Sequence, residues 1–233
     1  MAGDGKAQWQ VAYSPEKGQC PTAMTLANGV LYFGGGEVPY ANSKGRFLWA
    51  LEAATGKELW RYRAKPETYS DGECVTAPAV SDGTVVTTAE HVIYALDAGT
   101  GALRWKREGV RTVNGQPKQE QLSEPLITGG VVYSYMNDGL TGWDLKTGNP
   151  VFDLPDDFGL DPGSNRMAAA GGVLFFLANL ADNQGPDASF MPLYAMDLST
   201  KQILWKHRVN RPSPYDSIGR WTMGCTTGTS RFS

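Results

Sequence analysis

The sequence predicts an all-β protein assembled from repeated four-stranded antiparallel units. Three observations carry this: a recurring phrase, a two-residue turn signal ahead of each copy, and an aromatic residue that closes each copy. The phrase reads Trp49-Ala-Leu-Glu-Ala-Ala-Thr-Gly-Lys-Glu-Leu-Trp60 and then Tyr94-Ala-Leu-Asp-Ala-Gly-Thr-Gly-Ala-Leu-Arg-Trp105. A weaker copy is Gly142-Trp-Asp-Leu-Lys-Thr-Gly-Asn-Pro-Val-Phe152, and a fourth is Tyr194-Ala-Met-Asp-Leu-Ser-Thr-Lys-Gln-Ile-Leu-Trp205. An acid stands eight positions before each closing aromatic, at Glu52, Asp97, Asp144 and Asp197. A threonine stands five before it, at Thr55, Thr100, Thr147 and Thr200. Self-similarity at this period marks a stack of supersecondary units.

Each unit is legible in order. The first two strands form a hairpin whose turn is Asn28-Gly29, Asp82-Gly83, Gly129-Gly130 or Gly171-Gly172, all strong short-range hairpin signals. The third strand opens the phrase with β-branched and aromatic residues, as in Phe47 to Leu51 and Val92 to Leu96. The acid and the Thr-Gly step then make a turn, with the acid accepting backbone N–H groups. The fourth strand delivers the aromatic. A large ring at one fixed place per unit suits a wedge between neighbouring sheets. Trp60, Trp105, Phe152 and Trp205 are the expected wedges, and Trp9, four residues after Gly5, is a fifth. Four-stranded units of about 45 to 50 residues are propeller blades. They are expected over residues 20–63, 74–108, 123–154 and 166–208, within a single domain or propeller segment spanning 1–233. Lone terminal strands are expected at 8–13 and 225–232.

The phrase and its hairpin resemble the pyrroloquinoline-quinone-like propeller repeat with its tryptophan-docking motif. The resemblance covers nearly the whole chain. Two copies are nearly full matches. The third carries Phe152 for Trp and the fourth carries Lys201 for the turn glycine, so looser junctions are expected there. The repeat is shared by quinoprotein dehydrogenases, an outer-membrane assembly lipoprotein and extracytoplasmic binding and sensor domains, so the fold does not fix the function. The family's full quinoprotein rings have eight blades, and this chain supplies four and a part. Either the terminal strands meet in an incomplete fifth blade, or the chain is a segment completed by another chain or by a second copy. An uncovered sheet edge is an association hazard, and self-association through open blade edges is expected on the second reading.

Composition excludes several classes. The 233 residues are 41% hydrophobic with 28 Gly and 14 Pro, and the formal net charge is −3. No basic run points to nucleic acid. The longest apolar stretch, 168–180, is too short to span a bilayer. No signal peptide is visible, and family habit implies a periplasmic or extracellular protein. Cys20, Cys74 and Cys225 occupy one point of three different repeats. They read as small buried residues, as a disulfide between two of them, or as a metal site, the last lacking any His at ligand spacing.

The connections after each fourth strand, at 61–73, 106–122, 153–165 and 206–224, are long, as are the second-to-third strand segments 34–46 and 179–192. They gather on one face, where a small ligand or protein partner is expected. Asp156, Asp157 and Asp161, with Asn165, could offer oxygens for Ca²⁺, but their spacing matches no calcium loop and a solvated acidic loop is the leading reading. Arg211, Tyr215, Arg220 and Trp221, with Arg208, would hold an anionic or planar ligand by charge and stacking. His91 and His207 have no Ser or Cys partner visible in sequence, so no catalytic residue is assigned. The leading expectation is a non-catalytic extracytoplasmic binding or scaffolding propeller with no assured cofactor. The resemblance also implies a quinoprotein alcohol dehydrogenase, or part of one, holding the quinone PQQ and Ca²⁺ over the ring centre. A third reading is a receptor sensor domain.

Overall fold

The computed structural model describes residues 7, 9–10, 22–36, 46–64, 75–113, 115–136, 139–155, 167–177 and 190–210. They form four antiparallel four-stranded sheets in simple sequence order, with one extra hairpin. The first sheet is β1 (Met24–Ala27), β2 (Val30–Gly36), β3 (Arg46–Glu52) and β4 (Glu58–Ala64). The second is β5 (Ala79–Ser81), β6 (Thr84–Ala89), β7 (Val92–Asp97) and β8 (Leu103–Glu108). The hairpin β9 (Val110–Val113) and β10 (Gln116–Gln119) follows. The third sheet is β11 (Leu126–Thr128), β12 (Val131–Met136), β13 (Gly139–Asp144) and β14 (Pro150–Pro155). The fourth is β15 (Met167–Ala170), β16 (Val173–Leu177), β17 (Phe190–Asp197) and β18 (Ile203–Asn210). The first strands β1, β5, β11 and β15 lie next to one another in that order. The architecture is all-β and propeller-like, each sheet a blade.

The first turn of every blade has positive φ at both central residues, for example Asn28 at 49° and Gly29 at 75°. That twist matches the flanking strands. The phrase turn is closed twice by the backbone, as where Gly101 N–H donates to Asp97 O and Asp97 N–H donates to Ala102 O, both at 2.8 Å. The acid then fills the turn. Asp97 Oδ1 accepts from Gly99 N at 3.1 Å and from Thr100 N and Oγ1 at 2.9 Å. The Arg104 guanidinium on its other oxygen, at 2.8 Å, and these Thr100 bonds hold the Asp97 carboxyl at about 2. Ser199 and Thr200 do the same for Asp197, also at about 2, and Thr147 lowers Asp144.

One row crosses each blade under the closing aromatic: Tyr32–Ala50–Trp60, Val86–Ala95–Trp105, Tyr133–Gly142–Phe152 and Phe175–Ala195–Trp205. The middle member is always small, which lets the ring lie down. In every blade the register shifts immediately after it. The extra residues of these bulges are Leu59, Arg104, Val151 and Leu204. A bulge increases local twist and re-aims the next side chain.

Blades cohere through these rows. Tyr32, Leu48, Ala50 and Trp60 share one buried cluster with Val85, Tyr94, Leu96 and Ala98 of the second blade. Val86, Ile93, Ala95 and Trp105 share another with Val132, Trp143 and Leu145 of the third. The ring of each blade lies on the phrase turn of the next. A Cβ built on Gly101 would stand 2.7 Å from the Trp60 ring, and one on Gly148 would stand 2.6 Å from Trp105. Both glycines have positive φ, 71° and 68°, so space and backbone both demand glycine. The indole N–H donates to the carbonyl seven positions before the next aromatic: Trp9 to Ala53 at 3.0 Å, Trp60 to Ala98 at 3.0 Å and Trp105 to Leu145 at 2.9 Å. The N–H of that same residue bonds the hairpin turn of its own blade, as Ala98 N to Gly83 O at 2.9 Å. One residue thus joins two blades through its N–H and its C=O.

The two sequence departures meet in one junction. Phe152 faces the fourth phrase, whose glycine position is Lys201 at φ 62°. The lysine Nζ lies 5.1 Å from the Phe152 ring and 5.5 Å from that of Tyr133, and donates to Tyr133 Oη at 3.1 Å. The junction expected to be loose is filled: Phe152 is buried within the Tyr133–Phe176–Tyr194 cluster. Lys201 Cβ occupies the place an indole would need. Phe152→Trp alone should therefore destabilise by about 1–3 kcal/mol through overpacking, and Phe152→Trp with Lys201→Gly should recover most of the loss. Urea unfolding of the three variants checks this.

Trp205 departs from expectation. It is 44% exposed, against 9% for Trp60 and 6% for Trp105. Among the described residues no fifth sheet stands beyond β18. The expected strand at 8–13 is represented among described residues by Trp9 and Gln10, which carry no strand pairing. The rest of that segment, and 225–232, lie outside the described residues.

Candidate binding face

The face where second-to-third strand turns meet the blade connections is described best at the second blade. Its turn is Glu90–His91, both buried, with Glu90 at φ 55°. His91 Nδ1 stands 3.9 Å from Glu90 Oε2. The connection 109–122 is stitched onto this turn. Gly109 N–H donates to His91 O at 2.6 Å, Glu120 N–H to Gly109 O at 2.8 Å, and Leu122 N–H to Glu90 O at 2.8 Å. A side chain at Gly109 would meet Glu120 O at 2.8 Å and Leu122 at 3.0 Å, so the two ends of the connection approach as closely as glycine permits.

Between these ends stands the β9–β10 hairpin, paired from Val110↔Gln119 to Val113↔Gln116. Residues 116–119 are all exposed, and Val110 is 44% exposed. At its base, Glu120 is fully buried and Leu122 nearly so. Lys118 Nζ neutralises the Glu120 carboxylate at 2.8 Å, and no hydrogen bond of good geometry reaches either oxygen. The ion pair ties the exposed arm to its buried root.

A hydroxyl network backs the root. Thr76 and Thr88 exchange bonds, Thr76 N to Thr88 O at 2.9 Å and Thr88 N to Thr76 Oγ1 at 3.1 Å. Ser123 and Tyr135 repeat the exchange at 3.0 and 2.9 Å, and Thr22 and Gly34 at 2.9 and 2.9 Å. Thr88 Oγ1 also donates to Ser123 O at 2.9 Å, crossing from the second blade to the third. Glu124, raised by burial and lowered by the Ala77 N–H, adds a second crossing. The result is a rigid seat.

Sequence reasoning placed 106–122 in a loop. The structure instead continues β8 to Glu108 and then builds the hairpin. β10 is short and exposed along all of 116–119, so it lacks the apolar alternation that marks a half-buried strand. The usable signal was the dipeptide Asn114-Gly115, with Gly115 at φ 76°. The fully buried Glu120 was also missed, because a lone acid in a polar segment has no sequence signature. Of the expected site residues, Asp156, Asp157, Asp161, Arg211, Tyr215, Arg220 and Trp221 lie outside the described residues, as do Cys20, Cys74 and Cys225. His91 is buried at the blade turn, and His207 is exposed on β18.

The family model described as "Outer membrane protein assembly factor BamB" matches residues 1–207. The chain belongs to this PQQ-repeat family. Among solved structures, BamB from Moraxella catarrhalis superposes with TM-score 0.52 at 17% identity, covering 81% of this chain and 51% of that one. A europium-containing methanol dehydrogenase gives 0.52 at 15%, covering 82% and 42%. Quinohemoprotein alcohol dehydrogenase from Comamonas testosteroni gives 0.59 at 16%, covering 84% and 36%. These likenesses establish the shared fold. The chain spans about half or less of each neighbour's length. No curated protein matches it.

The dehydrogenase neighbours raise the question of quinone and Ca²⁺. Among the described residues no three His, Cys, Asp or Glu side chains converge to hold a metal. Glu90 and His91 make a pair, and Glu120 is engaged by Lys118. Among them, too, no helix is long and apolar enough to cross a membrane.

Proposed function

We propose that this chain is a binding and scaffolding propeller that acts outside the cytoplasm and engages a protein partner on its long-connection face. The observation that carries the reading is the β9–β10 arm: exposed along 116–119, yet rooted by buried Glu120 and Leu122, by two short backbone bonds to the Glu90–His91 turn and by a third between Glu120 and Gly109. Ordering such an arm in advance lowers the entropic cost of binding. The family's description as an outer-membrane-protein assembly factor points to outer-membrane β-barrel proteins, or their assembly machinery, as the partner class, and to the periplasm as the location.

The test replaces 110–119 with a short Gly-Ser bridge. Wild type and variant are titrated with a fluorescently labelled, urea-unfolded outer-membrane β-barrel protein, read by anisotropy. Saturable binding that weakens at least about tenfold in the variant, as expected for loss of a hot-spot element, supports the proposal. Absence of binding by the wild type, or equal binding by both proteins, contradicts it.

The quinoprotein reading is kept because dehydrogenases are among the structural neighbours. Quinone absorbance co-eluting with the chain after addition of PQQ and Ca²⁺, with alcohol-dependent dye reduction, would make it the better one.

A further inference from the structure

Glu120 and Lys118 form an unequal pair. The glutamate side chain is fully buried, whereas the lysine keeps 54% of its side-chain surface in solvent. Lys118 Nζ stands 2.8 Å from Glu120 Oε1, and among the described residues nothing else bonds or pairs with either oxygen. Burying a charge is costly unless it is paired. The two halves of this pair therefore differ in what their loss would do. Removing the ammonium strands a charge in the interior, the severe way to break a buried pair. Removing the carboxylate leaves a lysine that water already reaches, and exposed charges depend little on their partners.

The fold gives a stranded Glu120 a way out that disturbs no blade. The residue belongs to none of the four-stranded sheets. Its N–H donates to Gly109 O, within the connection itself. The connection meets the Glu90–His91 turn through Gly109 N–H to His91 O at 2.6 Å and Leu122 N–H to Glu90 O at 2.8 Å. Leu122 anchors the far end, packed in the cluster shared by the second and third blades. An apolar side chain at position 120 would seat the arm unconditionally. A carboxylate makes seating conditional on an ammonium that solvent reaches.

We propose that the Lys118–Glu120 pair is a releasable catch. While the Lys118 ammonium meets Glu120 the arm is seated, and loss or capture of that ammonium frees 109–120 from the second blade while the blade stays folded. The catch concerns how the arm is held, and it stands whether or not the arm binds a partner.

Hydrogen exchange of the full chain, read by mass spectrometry, tests it. The reporting amides are those of Gly109, Glu120 and Leu122 at the root, and the β6–β7 hairpin, 84–97, is the blade control. Lys118→Met should speed exchange at the root at least about 30-fold, a conservative share of the effect of stranding a buried charge. Exchange across 84–97 should change less than about threefold, as for a local opening. Glu120→Met alone should leave the root at least as protected as in the wild type. The double variant Lys118→Met with Glu120→Met should match the wild type within about threefold, because apolar replacement of both partners removes the buried charge altogether. Wild-type rates in Lys118→Met overturn the catch. Equal loss of protection in both single variants does so too, since that is the behaviour of an ordinary two-sided ion pair. A double variant that exchanges as fast as Lys118→Met overturns the stranded charge as the cause. Parallel acceleration across 84–97 overturns release without unfolding.

Discussion

Replacing Trp105 with alanine is expected to destabilise the chain by about 3–5 kcal/mol, the scale of deleting a large buried aromatic. The residue is 6% exposed and sits in the cluster shared by the second and third blades. Its loss opens a cavity over Gly148 and leaves the Leu145 carbonyl without its 2.9 Å donor. Chemical denaturation read by circular dichroism measures the effect. A loss below about 1 kcal/mol would mean the ring does not join the blades, since even partial collapse of such a cavity costs more. Trp205→Ala is the internal control. Its ring is 44% exposed, so its loss should cost much less.

Gly101→Ala is the second large expected effect, about 2–5 kcal/mol, combining left-handed backbone strain with overpacking. The backbone at this position has φ 71°, and the added methyl would stand 2.7 Å from the Trp60 ring. The strain belongs to Gly101 alone. The collision exists only while Trp60 is present. In a Trp60→Ala background the cost should therefore fall to the strain component, about 1–2 kcal/mol.

Much of the blade architecture was legible because each signal is local. Asn28-Gly29 and Asp82-Gly83 specify their turns from two residues, and the acid with its Thr-Gly step specifies the phrase turn from a few. Partnership between blades is less local. Phe152 and Lys201 look like two separate weakenings in sequence, yet they are the two halves of one junction, because each ring meets the following phrase and not its own. The bulges after Ala50, Ala95, Gly142 and Ala195 have no signature beyond a small residue opposite an aromatic.

The long-connection face was legible in position, and the arm on it was not legible in form. Long connections mark it, because insertions accumulate where no strand register constrains them. The arm hides from apolar patterning, since β10 buries neither face along 116–119. The buried Glu120 hides for the opposite reason: its partner, Lys118, is two residues away, and only the folded connection shows which of the two is inside.

The most direct test of the account is a double-mutant cycle between Trp60 and Gly101, with Trp60→Ala, Gly101→Ala and the double variant compared by urea unfolding. Direct ring-on-turn packing predicts that the double variant is more stable than the sum of the singles implies, by about 1–3 kcal/mol, within the range seen for residues in contact. Additivity within about 0.3–0.5 kcal/mol, the behaviour of independent sites, would contradict the claim that each blade is joined to the next by its closing ring.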